Sequence, residues 1–248
     1  MTRYTYSLTD TRPTQLGLIA LQSDETIETD FRRMLPEGLE LMVSRVASDP
    51  EVSAATLQRM EAHLTDAAAL FPSGARMSAV AYGCTSGTAQ IGQARIGDLV
   101  RAGVATPDVT EPVSALIAAC AHLGIQRLAM LSPYVEEVSA RLRDVLTGAG
   151  VASAGFGSFN EPEEAAVVRI APQSIIEAGC DVAAMQECDA LFLSCTNLRT
   201  LDVIDEMEAR LGLPVLSSNQ VLAWHLFGLA GNRNAAFAPG RLWRAPDA

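Results

Sequence analysis

Short apolar runs alternate with longer amphipathic runs along most of this 248-residue sequence. The apolar runs have the length of buried strands and end in small or polar residues. The longer runs show helical periodicity, and several stop at a glycine, as helices commonly do. This alternation predicts an α/β fold in which helices cover parallel sheets. The predicted strands are 16–22, 77–83, 127–133, 190–195 and 213–218, and the predicted helices include 113–124, 134–150, 172–187 and 201–212.

The pattern also repeats. Strand 16–22 precedes strand 127–133 by 111 residues, and Cys84 precedes Cys195 by the same 111 residues. Each half ends in a polar turn followed by an apolar helix, so we expect two similar α/β halves. Ligands of open parallel sheets bind beyond the carboxyl ends of the strands, which places the expected site in a cleft between the halves. The expected division is residues 1–112 with a C-terminal helix at about 219–248, and residues 113–218.

Composition narrows the classes of function. A hydrophobic content of 49% supports a substantial core, and a formal net charge of −11 argues against nucleic acid and membrane partners, which need a basic surface. A small anionic substrate stays compatible with this charge. The sequence shows no signal peptide and no apolar stretch of about 20 residues, so we expect a cytoplasmic protein. We expect its five cysteines to be reduced and free for chemistry.

Two cysteines lie where predicted strands end. Cys84 and Cys195 each precede residues suited to cap a helix, and a thiol at a helix N-terminus is expected to have a pKa below its usual value of about 8.5. Either thiolate could then act as a nucleophile or as a base. We interpret the other cysteines, Cys120, Cys180 and Cys188, as structural. The capping residues, which would also face the substrate, are Thr85, Ser86, Thr196 and Asn197.

Metal and nucleotide cofactors lack a sequence signal. The three histidines, His63, His122 and His225, stand singly in helical runs, which is not the close ligand spacing of a zinc site. A Cys–His nucleophile pair stays open but has no support in the sequence. The sequence contains neither a GxGxxG after its first strand nor a GxxxxGK[ST] motif. We therefore expect no metal and no cofactor.

Three loop residues have two interpretations each. Asp24 follows the first strand, where it would either cap a helix or meet the substrate. Tyr134 occupies the corresponding loop of the second half and would either donate its hydroxyl to a carboxylate or pack against a helix. Asn160, judged from the sequence alone, is a loop or capping residue.

These segments carry a family resemblance. The stretches AYGCTSGT, LFLSCTNLRT, LGLIALQSDETIE, LSPYVEEV and LPVLSSNQVLAWH resemble the Asp/Glu racemase superfamily, in its branch of maleate cis-trans isomerase and arylmalonate decarboxylase. The resemblance covers residues from about 15 to 230. It implies two Rossmann-like (flavodoxin-like) halves related by pseudo-twofold symmetry, cofactor-free chemistry by one or two cysteines, and a homodimer or homotetramer.

The resemblance also implies roles for individual residues. Isomerase-like members carry both cysteines, whereas the decarboxylase branch keeps only the second. Cys84 would be the nucleophile that adds to a substrate double bond, Cys195 would donate and accept a proton, and Tyr134 and Asn160 would hold substrate carboxylates. The isomerase pattern has Asn where this chain has Asp24, and an ionised Asp accepts hydrogen bonds and repels a carboxylate.

The stretch LQSDETIE is closer to a related group, the ectoine-utilisation protein A group. That likeness implies an amino-bearing substrate whose ammonium pairs with Asp24 or Glu25.

The combined expectation is a cofactor-independent isomerase or racemase that acts on a small carboxylic or amino acid through Cys84 and Cys195. Backbone N–H groups at two helix starts would stabilise the developing enediolate. The alternatives are a decarboxylase of the arylmalonate type, or a non-catalytic ligand sensor on the same fold. A redox switch that joins the two thiols ranks last, because a cleft wide enough for a substrate separates the sulfurs.

Overall fold

The computed structural model describes residues 1–9 and 11–246. Its N-terminal half contains one sheet of four parallel strands in the order β2-β1-β3-β4. The elements of this half are β1 (Thr14–Leu21), α1 (Ile27–Met34), β2 (Leu39–Val46), α2 (Ala54–Arg59), α3 (Glu61–Ala69), β3 (Met77–Gly83), α4 (Thr85–Ile91), α5 (Gln93–Gly103) and β4 (Asp108–Thr110).

The C-terminal half contains a second parallel sheet, in the order β6-β5-β7-β8. Its elements are α6 (Pro112–Leu123), β5 (Arg127–Ser132), α7 (Glu136–Gly148), β6 (Ala152–Ser158), α8 (Glu164–Val167), α9 (Pro172–Ala184), β7 (Ala190–Leu193), α10 (Ile204–Leu211), β8 (Val215–Ser217), α11 (Ser218–Leu229) and a 3₁₀ turn at Arg241–Trp243.

The two sheets share one strand order, which confirms the expected α/β fold with two similar parallel-sheet halves. In each sheet the two central strands, β1 and β3 or β5 and β7, are almost wholly buried, as expected of parallel strands covered on both faces. Strands β3 and β7 occupy equivalent places in the two sheets. The loops that follow them carry Cys84 and Cys195, so the repeat in the sequence corresponds to a repeat in the fold.

Strands β2, β4 and β6 were not predicted, and β4 lies on residues that were expected to form a polar turn. Strand β2 contains Glu40, Ser44 and Arg45, and strand β6 reads ASAGFGS, so neither forms a continuous apolar run. Each pairs along one side with a buried central strand, β1 or β5, which supplies the hydrogen bonds that fix it as a strand.

Helix α11 links the halves. It follows β8 of the second sheet and packs against α1, β3, β4 and α6. Its apolar residues, including Trp224 and Phe227, are buried in these contacts. Within the described residues, none of the helices combines the length and the apolar character that crossing a membrane requires.

Candidate active site

Both strand-end cysteines line one small cavity between the two sheets. The enclosed space is about 10 Å³, which is room for about one water molecule. Substrate entry therefore requires the residues around the cavity to move. Its lining residues are Leu21, Val52, Leu57, Cys84, Thr85, Ser86, Tyr134, Glu164, Cys195 and Thr196.

Cys84 is positioned by the start of helix α4. It is the N-cap residue, and its sulfur accepts a hydrogen bond from the backbone N–H of Gly87 at 3.2 Å. Gly87 permits this approach, because a Cβ atom there would lie 2.9 Å from the Cys84 sulfur. The expected lowering of the thiol pKa is nevertheless wrong for this closed cavity. Burial raises the pKa of Cys84 to about 12 and outweighs the N–H donor.

Cys195 lies in a loop and is positioned by its backbone conformation, not by the start of a helix. It has φ of 106°, in the left-handed region that favours glycine, at a cost on the order of 1–3 kcal/mol. Its N–H donates to Ser218 Oγ at 3.0 Å, and Ser218 Oγ also receives the Thr85 hydroxyl at 2.8 Å. Ser218 therefore connects the loop that bears Cys195 to the first turn after Cys84.

The expected helix cap at Thr196 and Asn197 does not form. These residues lie in a loop, and helix α10 begins later, at Ile204. The Cys195 sulfur instead accepts the backbone N–H of Asn197 at 3.2 Å. Burial and the nearby Glu164 carboxylate raise the pKa of Cys195 well above its usual value. Both cysteines are therefore neutral thiols in the closed cavity.

Tyr134 connects Cys195 to a carboxylate. The Tyr134 hydroxyl donates to Glu164 Oε1 at 2.7 Å and lies 2.9 Å from the Cys195 sulfur. When Glu164 is ionised, it can only accept, so the single tyrosine proton is directed to it. In the contact between Cys195 and Tyr134, the Cys195 thiol then donates a hydrogen bond to the Tyr134 hydroxyl oxygen. The three groups form a chain along which a proton can pass from sulfur to carboxylate.

Glu164, the first residue of α8, is the site residue that the sequence reasoning missed. It is buried, and Asn197 Nδ2 donates to its Oε2 at 2.7 Å and to its backbone oxygen at 3.2 Å. Burial raises the pKa of Glu164 to about 7, although the Tyr134 and Asn197 donors act in the opposite direction. In the stretch NEPEEAAVV three glutamates lie close together, and no local signal marks the one that turns inward.

Asn160 lies outside the cavity. Its side chain is exposed, its φ is 54°, and its backbone N–H donates to Ser158 Oγ at 2.8 Å. The Ser158 hydroxyl in turn donates to the backbone oxygen of Tyr134. The structure therefore assigns Asn160 to a turn that supports Tyr134, and the expected contact with a substrate carboxylate is not available to it in this conformation.

Asp24 is a buried residue of the loop before α1, whose N-cap is Thr26. Its Oδ1 accepts the backbone N–H groups of Thr26 and Ile27, both at 2.8 Å, while Oδ2 has no hydrogen-bond partner in the described part of the chain. Burial raises its pKa. Next to it, the Glu25 N–H donates to Asn197 Oδ1 at 2.9 Å. Asn197 thus joins the Asp24 loop to Glu164 across the two halves.

The cavity is covered by backbone pairing between the halves. The Val52 N–H donates to the Pro162 oxygen at 2.9 Å, and the Glu164 N–H donates to the Pro50 oxygen at 3.0 Å. These bonds flank an antiparallel bridge between Glu51 and Glu163. The same contact therefore closes the cavity and places Glu164 inside it.

The remaining cysteines and the histidines lie elsewhere. Cys120, Cys180 and Cys188 do not line the cavity, and neither does any of the three histidines, of which His225 contacts Thr110. Across residues 1–9 and 11–246, no group of three or more His, Cys, Asp or Glu side chains is arranged to hold a metal ion.

Known proteins match this chain in sequence and in fold. The sequence model of the arylmalonate decarboxylase family matches residues 39–243. A maleate isomerase of Geobacillus stearothermophilus is 27% identical over 221 residues, which cover 82% of this chain and 86% of that protein. An arylmalonate decarboxylase of Bordetella bronchiseptica is 34% identical over 120 residues, 48% of this chain and 49% of its own.

A solved structure of a Nocardia farcinica maleate cis-trans isomerase variant, which holds a covalently bound succinylcysteine intermediate, superimposes with a TM-score of 0.82. It is 20% identical, and the match covers 94% of this chain and 99% of the other. The family match extends over most of the chain and includes both cysteine loops. The chain belongs to the arylmalonate decarboxylase family.

Proposed function

We propose that this protein is a cofactor-independent isomerase or racemase that acts on a small carboxylic or amino acid through Cys84 and Cys195. The observation that carries the proposal is that both sulfur-bearing side chains line one buried cavity. They enter it from equivalent loops of the two halves, so a substrate held between them would be accessible to a thiol from each half.

In the racemase form, Cys195 first passes its proton to Tyr134 while Tyr134 passes its own to Glu164. The Cys195 thiolate then takes the proton from the substrate α-carbon, and the Cys84 thiol delivers its proton to the opposite face. After the product leaves, Cys195 gives its proton to the Cys84 thiolate and is itself protonated again from Glu164 through Tyr134. Burial raises the pKa of both thiols, so a thiolate formed here is a strong base, as removal of a weakly acidic C–H proton requires.

In the cis-trans isomerase form, the Cys195 proton passes through Tyr134 to Glu164, and the Cys195 thiolate then takes the proton of Cys84. The Cys84 thiolate adds to a substrate double bond, and the Cys195 thiol protonates the neighbouring carbon. The new single bond rotates, Cys195 takes a proton back, and the carbon–sulfur bond breaks to release the other isomer. The succinylcysteine intermediate of the Nocardia farcinica enzyme supports this form, because it is the adduct that addition of a cysteine to maleate would give.

A decarboxylase is the second candidate, supported by the family match and by the Bordetella bronchiseptica relative. In that reaction a substrate carboxylate leaves as carbon dioxide, and the carbanion left behind takes one proton from Cys195. This reaction needs one thiol, whereas the cavity of this chain contains two, which is why the two-thiol reactions rank first.

The test is proton NMR of the wild-type protein in D₂O with maleate, aspartate, glutamate, 2,4-diaminobutyrate, its N-acetyl forms and an arylmalonate. Deuterium at the α-carbon of an amino acid supports the racemase, conversion of maleate to fumarate supports the isomerase, and conversion of the arylmalonate to the arylacetate supports the decarboxylase. No turnover of any member would reject the enzyme for these substrates and favour the sensor alternative.

A further inference from the structure

The cavity carries acidic groups and no basic side chain. Its ionisable lining residues are Cys84, Cys195, Tyr134 and Glu164, each of which is neutral or negative and never positive. Asp24 lies close enough to raise the pKa of Glu164 and of both cysteines through its charge. A ligand in this cavity therefore meets negative potential.

Arg45, the cation whose charge acts on Asp24, is engaged elsewhere. The Arg45 guanidinium donates to the backbone oxygens of Leu21 and Asp24, at 2.8 and 2.9 Å, and lies 3.3 Å from a Glu28 carboxylate oxygen. It does not line the cavity. Arg45 stabilises the Asp24 loop from outside the cavity and is not placed to bind a substrate carboxylate.

The acidic groups also have unused acceptor capacity. A carboxylate has about four acceptor sites, and the described side-chain donors give each oxygen of Glu164 one hydrogen bond. Asp24 does not line the cavity, and its carboxylate interacts with the side chain of Thr196, which does. Buried polar atoms are nearly always hydrogen-bonded in proteins, so the free acceptor sites of Glu164 leave room for a donor carried by the ligand.

We propose that the substrate carries a cationic nitrogen, an ammonium or an amidinium, which binds beside Glu164. This inference rests on the proposed function, because it names the substrate class of the same site. The substrate carboxylate would then contact the Ser86 hydroxyl, which lines the cavity, because the hydroxyl protons of Thr85 and Thr196 are donated to Ser218 and to the Gly83 oxygen. A dianion such as maleate would bring two negative charges to the same carboxylates.

The experiment separates binding from turnover. The Cys84→Ala, Cys195→Ala double variant is titrated by calorimetry with matched pairs that differ in one ammonium: glutamate against glutarate, aspartate against succinate, and 2,4-diaminobutyrate against its N-acetyl forms. We expect the member with the additional ammonium to bind at least tenfold more tightly in at least one pair. Maleate is expected to bind more weakly than the cation-bearing ligands.

Glu164→Gln, placed in the same background, is expected to abolish that preference, and Glu164→Asp to keep part of it. Glu163→Gln is the matched control, because Glu163 is the exposed neighbour, and it should leave the preference unchanged. Thermal unfolding of each variant verifies that it is folded. Equal binding of both members of every pair, no binding by any cation-bearing member, or a preference that survives Glu164→Gln would overturn the inference.

Failure of this inference and failure of the proposed function give different results. A cation preference in the double variant, with no turnover of any compound by the wild-type protein, would reject the enzyme and keep the inference. Efficient turnover of maleate by the wild-type protein would keep the enzyme and reject the inference.

Discussion

The hydroxyl of Tyr134 lies 2.9 Å from the sulfur of Cys195, and the same hydroxyl donates to Glu164 at 2.7 Å. Two side chains of the second half thus give a buried thiol a route to a buried carboxylate. Because burial raises the pKa of the thiol, a proton acceptor of this kind is what a thiolate mechanism at Cys195 requires.

Glu164→Gln should lower kcat by about a hundredfold or more, since it removes the final proton acceptor of the chain. The relay needs the ionised carboxylate, and the pKa of Glu164 is raised to about 7. The kcat/KM of the wild-type enzyme should therefore rise with pH through about 7, and Glu164→Gln should lack that limb. The measurement is the pH dependence of kcat/KM for both proteins.

The control for this prediction is Glu163→Gln, which changes the exposed adjacent side chain. It should retain both the rate and the pH limb. A pH limb near 7 that persists in Glu164→Gln would assign the titration to another group and remove the relay from the account.

Tyr134→Phe should cost as much activity as Glu164→Gln, because it removes the middle of the same chain while preserving the aromatic packing. The double variant should be little worse than either single variant, since groups that act as a unit are not additive. Comparison of kcat/KM across the four proteins measures this coupling. Additive losses would mean that the two residues act separately.

Stability should fall as the pH rises toward neutrality. Folding raises the pKa of Glu164 from 4.5 to about 7, so the native protein binds more protons than the unfolded chain between those values. The stabilisation is fully present below about pH 4.5 and is lost as the pH rises through about 7. Between pH 4.5 and 8, Glu164→Gln should therefore gain up to about 3 kcal/mol relative to the wild-type protein.

Denaturant unfolding of both proteins at several pH values measures that relative change. The contribution of Asp30, whose pKa burial raises to about 6, is common to both proteins and cancels in the comparison. A constant difference in stability between the two proteins across the pH range would show that Glu164 titrates normally in the native state.

Ser218→Ala should lower kcat as well as the free energy of unfolding. The variant loses the acceptor for the Cys195 N–H and for the Thr85 hydroxyl, which should cost about 1–3 kcal/mol of unfolding free energy. It also releases the strained backbone that aims Cys195 into the cavity. Ser44→Ala is the control, because Ser44 donates to the Ala67 oxygen at 2.6 Å far from the cysteine loops, and it should lose stability alone. Similar kcat values for both variants would contradict this role of Ser218.

The fold and the two cysteine loops were predictable because their signals are local or periodic. Apolar runs predicted five of the eight described strands, the four central ones and β8, and the equal spacing of Cys84 and Cys195 indicated the repeat. Strands β2, β4 and β6 were not predicted because pairing with a buried neighbour, rather than their own sequence, fixes them as strands.

The missed parts of the site depend on long-range contacts. A backbone hydrogen bond from Glu164 to Pro50, which lies in the other half, places Glu164 in the cavity. No sequence pattern near Glu164 indicates that contact. The predicted fall in thiol pKa also failed for this reason. A helix N-terminus is visible in the sequence, whereas the complete burial that outweighs it is a property of the assembled fold.

The central claim is that the two thiols act together on one substrate. The most direct test is solvent deuterium exchange and product formation, followed by NMR in D₂O, for Cys84→Ala and Cys195→Ala with the compound that the wild-type protein turns over. Cys188→Ala is the control, because that buried thiol does not line the cavity. We predict that each of the first two variants loses at least about a thousandfold in turnover, within the range of acid–base and nucleophilic contributions, and that Cys188→Ala retains activity. Near-normal turnover by either Cys84→Ala or Cys195→Ala would contradict the two-thiol mechanism.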